Sequence, residues 1–183
     1  MTLESFLTAR LVAERLTPAH LADLRSMDTD ERFMAYLGGV RDEAGTTAYL
    51  ERNLAHWAAH GFGLWMLRDR QTQANAGRAV LRHLDVDGVD EVEVGYGFLP
   101  EFWGRGLATE VTHACLDIAR DRLGLATAVA VTLPGNLASR RVLTKAGLTF
   151  EREVTLSGLS CLLFRVRLSR DTSTSLPSVR SDP

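Results

Sequence analysis

Apolar positions along the chain change their period several times, and each change marks an element. Residues 8–14, TARLVAE, predict a first strand. LTPAHLADLRSM then opens a helix, with Thr17 as N-cap and Pro18 at the first helical position. A short helix is expected from Asp30 to Leu37, ended by Gly38 and Gly39. TTAYLERNLAHWAAHG places Leu50, Leu54, Trp57 and Ala58 at helical spacing, with Gly61 where a C-terminal cap belongs. The period then shortens. FGLWMLRD, AGRAVLRHL and EVEVGYGF read as three strands, the last two joined by a hairpin turn at Asp87-Gly88. In the third, Val92, Val94, Tyr96 and Phe98 alternate with Glu91, Glu93, Gly95 and Gly97, which gives one apolar face. A helix from about Gly106 to Leu123 is striped by Leu107, Val111, Ala114, Cys115 and Ile118, and Gly124 closes it. ATAVAVT is a buried-type strand and NLASRRVLTKAG a helix ending at Gly147. TFEREVTL and CLLFRVRL alternate again, as an antiparallel pair.

This order of strand, helices, three strands, helix, strand, helix and two strands predicts a mixed α/β sheet with helices on its faces. There is no internal repeat. Residues 1–168 are expected to form one domain. The fifteen residues from Ser169 hold seven Ser or Thr and two Pro, and are expected to form a disordered tail.

Bulk numbers narrow the classes. At 183 residues, 45% apolar and 24% charged, the chain has the make-up of a soluble globular domain. A net charge of −2 argues against a nucleic-acid surface. MTLESFLTAR lacks the basic start and apolar run of a signal peptide, and no stretch is long enough to cross a bilayer. Two cysteines cannot build a disulfide framework; Cys115, on an apolar helix face, reads as a buried thiol, and the usage fits a reducing cytoplasm. His56 and His60 stand four apart, yet Trp57 sits where a metalloprotease glutamate would be and no third ligand is evident, so no metal is expected. The run Asp85, Asp87, Asp90 and Glu91 reads as a polar turn or as an attraction for a cationic substrate. It is not a calcium loop, because Val89 occupies the fifth position.

One stretch, FLPEFWGRGLATE, carries candidate chemistry. A strand leads through Gly104 and Gly106 into a helix start. The first amides of a helix lack internal partners, the dipole adds positive potential, and small residues let a phosphate approach. Arg105, Gly106, Leu107, Ala108 and Thr109 can therefore cradle a phosphate or pyrophosphate through their N–H groups. The alternative is a tight strand-to-helix turn with no ligand. A P-loop would need a lysine that is absent, and a dinucleotide fold needs its glycines directly after the strand, whereas Pro100 to Trp103 intervene. Acyl-coenzyme A remains, since its pyrophosphate needs only a backbone cradle.

EVEVGYGFLPEFWGRGLATE followed by AVTLPGNLASRRVLTKAGL resembles the GNAT superfamily of N-acetyltransferases, and more narrowly its ribosomal-protein alanine N-acetyltransferase branch. The resemblance covers roughly residues 8–168. It implies a central mixed, mostly antiparallel sheet, splayed between strands 92–99 and 126–132, with helices on both faces. Acetyl-CoA would be the cosubstrate, its pantetheine arm entering the splay and its pyrophosphate lying on the loop from Trp103 through Gly106 to Ala108. An amide near Gly97 or Phe98 would polarise the acetyl carbonyl. Asn136 would meet the pantetheine amides, or serve as a helix N-cap; Ser139 would face the sulfur. The family's tyrosine seven residues after the asparagine is Leu143 here, which leaves Ser139, a water or no group as the acid. An attacking amine must first lose a proton, and Glu93 is the first candidate base, the alternative being a solvated glutamate. The implied acceptor is a protein N-terminus or a small-molecule amine, with Phe33, Tyr36, Trp57, Phe62 and Trp65 as candidate groove residues. Neither nucleic acid nor membrane is expected as a partner, and the chain is expected to be a monomer or homodimer. Two rivals stand beside this reading: a non-catalytic acyl-CoA-binding module and a nucleotide-binding oxidoreductase.

Overall fold

A computed structural model describes residues 3–169. The tail expected from Ser169 lies, Ser169 apart, outside them. The strands are β1 (Ser5–Leu7), β2 (Leu11–Arg15), β3 (Leu64–Asp69), β4 (Asn75–Val86), β5 (Val89–Phe98), β6 (Thr127–Thr132), β7 (Thr149–Leu156) and β8 (Leu159–Arg167). The helices are α1 (Leu21–Asp28), α2 (Glu31–Met34), α3 (Glu43–His60), α4 (Leu107–Asp121) and α5 (Leu137–Lys145). All eight strands join one sheet in the order β1-β2-β3-β4-β5-β6-β8-β7. Every neighbouring pair is antiparallel except β5 and β6.

Several boundaries differ from those the sequence predicts, for local reasons. The single strand expected at 8–14 is broken by a turn in which the Thr8 hydroxyl accepts the Leu11 N–H, leaving β1 and β2 on either side. Only one turn of the helix expected to Leu37 forms, N-capped by Asp30, whose carboxylate accepts from the amides of Arg32 and Phe33. The long helix starts earlier than its apolar spacing suggests, because Asp42 caps it. Gly61 ends it in the left-handed conformation, as expected. Asp87 and Gly88 both have positive φ and turn the β4–β5 hairpin.

Helices cover both faces. Successive residues of a strand alternate in direction, so Gly95 and Gly97 share one face of β5 with Glu91 and Glu93, while Tyr96 and Phe98 share the other with Val92 and Val94. A Cβ built on Gly97 would stand 2.9 Å from Phe33 Cζ and 3.0 Å from Leu37 Cδ1. The glycine is thus required because α2 and its following turn lie directly on the backbone. On the opposite face, Leu107, Val111, Cys115 and Ala119 of α4 and Leu143 of α5 are buried in the main core with Val94 and Phe98. A second cluster, of Val86, Val129, Val154, Cys161 and Leu163, contains no helical residue. The far end of the β4–β5 hairpin closes it, and there Arg165 of β8 makes a two-pronged ion pair with Glu91 of β5 at 2.8 and 3.0 Å.

A buried ion network fastens α1 and α3 to the sheet. Asp28, fully buried, accepts from Arg41 Nη1 and Arg78 Nη1 at 2.8 Å each and from Thr46 Oγ1 at 3.1 Å. The Tyr49 ring lies against both guanidinium groups, 4.4 Å from Arg41 and 4.7 Å from Arg78. Breaking a buried pair from one side costs about 3–5 kcal/mol, because the remaining charge is stranded. Asp28→Ala should therefore lower the unfolding free energy by roughly that amount in urea titrations, far more than Asp117→Ala on the exposed side of α4.

Candidate active site

The parallel junction between β5 and β6 consists of one residue pair, Glu93 opposite Val129. On the other side of β5, ten residue pairs join it to β4. Which backbone groups the divergence frees follows from the register. Leu99 donates its N–H to Ala76 O at 3.0 Å. Counting back by twos, the odd residues of β5 turn their amides toward β4, and Val94, Tyr96 and Phe98 turn theirs toward β6. Val94 flanks the one pairing that exists. Tyr96 and Phe98 therefore face the opening with no strand partner. Of the two positions left open by the sequence, Gly97 or Phe98, the register makes Phe98 the one whose N–H points into the cleft. The Phe98 carbonyl is already taken by the Trp103 indole N–H at 2.6 Å.

Below the opening lies the glycine loop. Gly104 and Gly106 both have positive φ, of 71° and 76°, a conformation that favours glycine. Gly106 is the N-cap of α4 and brings no capping side chain. The first helical bond runs from Glu110 N–H to Gly106 O, so the amides of Leu107, Ala108 and Thr109 have no partner inside the helix. Apart from its chain neighbours, no heavy atom lies within 4 Å of where a Gly104 Cβ would stand. An uncapped helix start beside a bare backbone fits a phosphate, and with it the pyrophosphate of acetyl-CoA.

The charged side chains beside this loop are engaged with one another. Arg105 turns its guanidinium to Asp69, 3.4 Å away, and over the Phe102 ring. A hydrogen bond from the Thr72 amide leads the causes that hold the Asp69 carboxyl below the usual range. Arg10, from the turn before β2, donates to Arg105 O at 2.6 Å and pairs with Glu110 at 2.6 Å. Glu110 also accepts from the Thr8 hydroxyl and the Arg10 amide. Partial burial acts to raise the Glu110 pKa, but those hydrogen bonds and the Arg10 charge prevail and lower it. Sequence reading misses Arg10, because 100 residues separate it from Glu110 and only the fold joins them.

The remaining candidates fall on either side of the splay. Glu93 is 4% exposed and pairs with Arg82 at 2.6 Å, so it is neither solvated nor on a half-exposed face. Asn136 caps α5, its Oδ1 accepting the Ser139 N–H at 3.1 Å. Its Nδ2 donors have no hydrogen-bond partner among the described residues. The Ser139 hydroxyl lies 3.1 Å from that of Tyr96, a residue that the alternating pattern marks only as apolar core. Leu143 is buried in the core. Of the expected groove aromatics, Phe33, Trp57, Phe62 and Trp65 are buried core residues, and Tyr36 alone is exposed. Tyr36 reaches over the β6–α5 loop, with Cε1 4.0 Å from where a Gly135 Cβ would lie. Burial pushes the Cys115 thiol up to about 12 and raises that of Cys161, so neither is an activated nucleophile. The acids of the hairpin tip are engaged: Asp87 with Arg152, Asp90 with His83 and Glu91 with Arg165. His56 bridges the Phe62 carbonyl and the His83 amide, sealing the β4 edge, and burial lowers its pKa.

Comparison with known proteins gives this fold and site a class. A family model described as acetyltransferase (GNAT) domain matches residues 10–149, and the chain belongs to that family. The acetyltransferase of Agrobacterium tumefaciens superposes with a TM-score of 0.80 at 26% identity, covering 91% of this chain and 96% of that one. The spermidine N-acetyltransferase of Vibrio cholerae, solved with CoA and spermine, gives 0.70 at 15% identity, covering 86% of this chain and 95% of its own. In sequence, the uncharacterized protein YkkB of Bacillus subtilis is 29% identical over 125 residues, 68% of this chain and 73% of that protein. No helix among the described residues is long and apolar enough to cross a membrane.

A carboxyl whose pKa is lowered by folding contributes stability that is present above its unfolded value and lost as pH falls through its folded one. Glu110→Gln should thus be less stable than the wild type by about 1 kcal/mol at pH 7, after allowance for partial exposure. The gap should close between about pH 5 and pH 3. Urea unfolding of both proteins across that range measures it.

Proposed function

We propose that the protein moves an acetyl group from acetyl-CoA to a primary amine by direct attack within a ternary complex. The observation that carries this reading is the pair of backbone positions without a strand partner, Tyr96 and Phe98, whose amides open above an uncapped glycine-led helix start. An extended pantetheine arm adds to β5 as a further strand would, while the Leu107, Ala108 and Thr109 amides hold the pyrophosphate, with Gly106 and Arg105 completing the loop. The Phe98 N–H then stabilises the oxyanion formed when the amine attacks. Asn136 offers its free Nδ2 donors to a pantetheine carbonyl, and Ser139 stands at the sulfur.

Glu93 is the base. Its carboxylate lies on the α1–α3 face of β5, beside the side-chain-free track of Gly95 and Gly97, and takes the amine's proton directly or through one water. The Arg82 guanidinium holds it in place. No covalent enzyme intermediate is formed, in keeping with two inert thiols. The acceptor is a protein N-terminus or a small-molecule amine that enters past Tyr36, and the buried free thiols suit the reducing cytoplasm. A non-catalytic acyl-CoA-binding module is the second reading, favoured by the burial of Leu143 where a tyrosine acid would stand.

Acetyl-CoA and free CoA at a hundred times their dissociation constants should each stabilise the protein by ~2.7 kcal/mol, with NAD and ATP inert. Stabilisation by NAD alone would reject the proposal. In an amine-acceptor screen, Glu93→Gln should lower kcat roughly 100-fold with little change in KM for acetyl-CoA. Full activity in that variant removes Glu93 from the chemistry, and tight binding without turnover of any amine selects the second reading.

A further inference from the structure

Ser139 is met from the opposite wall of the cleft. The Tyr96 hydroxyl lies 3.1 Å from Ser139 Oγ and 3.4 Å from the Ser139 carbonyl oxygen. That carbonyl also accepts, within α5, the amide four residues on, and at 3.1 Å against 3.4 Å the hydroxyl oxygen is the nearer acceptor for the phenol. The contact joins β5 to the helix that follows β6, and so bridges the two elements whose strands diverge. Burial, working against the bond from Ser139, pushes the Tyr96 pKa up to about 12. The phenol is therefore protonated at neutral pH and can donate.

A serine hydroxyl has one proton and two lone pairs. If Tyr96 fills one lone pair, the serine proton is free to turn outward. On the acetyltransferase reading above, on which this step rests, the coenzyme sulfur lies there. We propose that Tyr96 is a positioning residue for the leaving thiolate: it donates to Ser139 Oγ and so directs the Ser139 O–H onto the sulfur. Leu143 fills the core where a phenol would otherwise come from α5, and the phenol arrives from β5 instead. In the reaction the N–C bond forms and the C–S bond breaks, with its electron pair going to sulfur. The amine proton leaves to Glu93. The thiolate is held by the Ser139 hydrogen bond and takes its proton from solvent as coenzyme A departs.

The test needs no acceptor. Free coenzyme A is bound to the wild type, Tyr96→Phe, Ser139→Ala and the double variant, and the bound thiolate is followed by its ultraviolet absorbance against pH. A hydrogen bond to the charged form favours it. Tyr96→Phe should lower the bound thiolate fraction at a given pH about tenfold. Ser139→Ala should do the same or more, and the double variant should match Ser139→Ala, because one residue acts through the other. Affinity for desulfo-coenzyme A should be the same in all four, which shows an intact cradle. Equal thiolate fractions in all four proteins overturn the proposal, as do losses that add in the double variant. Failure of coenzyme A to bind the wild type overturns the acetyltransferase reading itself.

Discussion

A parallel strand pair that holds at one residue and then opens is the constraint on which the site depends. β5 is fully paired with β4, so it cannot follow β6 as that strand leaves. Backbone groups inside a fold must find partners, and the divergence leaves those of Tyr96 and Phe98 facing a cleft. Three contacts border this opening. The Glu91–Arg165 pair pins the closed end of the junction. The Trp103 indole occupies the Phe98 carbonyl at the open end, and Tyr96 and Ser139 span the gap between them.

Charge is distributed around the opening in matched pairs. Glu110 sits in the first turn of α4, where its negative charge would compete with an arriving phosphate for the helix dipole. Arg10 offsets it and holds it toward the β1–β2 turn. Glu93 is similarly compensated by Arg82 on the other face. The loop is left with backbone amides as its main attraction for an anion, which suits a ligand held by shape and dipole more than by side-chain charge. Under the two glycines of β5, the network of Asp28, Arg41 and Arg78 fixes α1 and α3 to that face of the sheet.

The sequence makes one half of this legible and hides the other. Period-two alternation identifies β5, and the two glycines with their small neighbours identify a helix start that has no capping side chain, because both signals are local. The mixed α/β fold with helices on both faces follows from element order. Glu93 illustrates the limit: alternation places it on the polar side of its strand, whereas the fold buries it there against Arg82 of β4. Arg10 and the Tyr96–Ser139 contact depend on register across strands and on a sheet order that no local pattern encodes. β1 escapes notice because it is three residues long and contributes one half-buried side chain, Phe6, against Trp65.

On the proposed reading the outward amides of β5 receive the pantetheine arm as an added strand, and amide hydrogen exchange reports on those amides directly. Exchange at Tyr96 and Phe98 should slow markedly when coenzyme A is bound, together with Leu107, Ala108 and Thr109, while β1 and β7 are unchanged. Binding that protects the α4 amides but leaves Tyr96 and Phe98 exchanging as before would contradict strand addition, since the ligand would then sit on the loop without entering the splay.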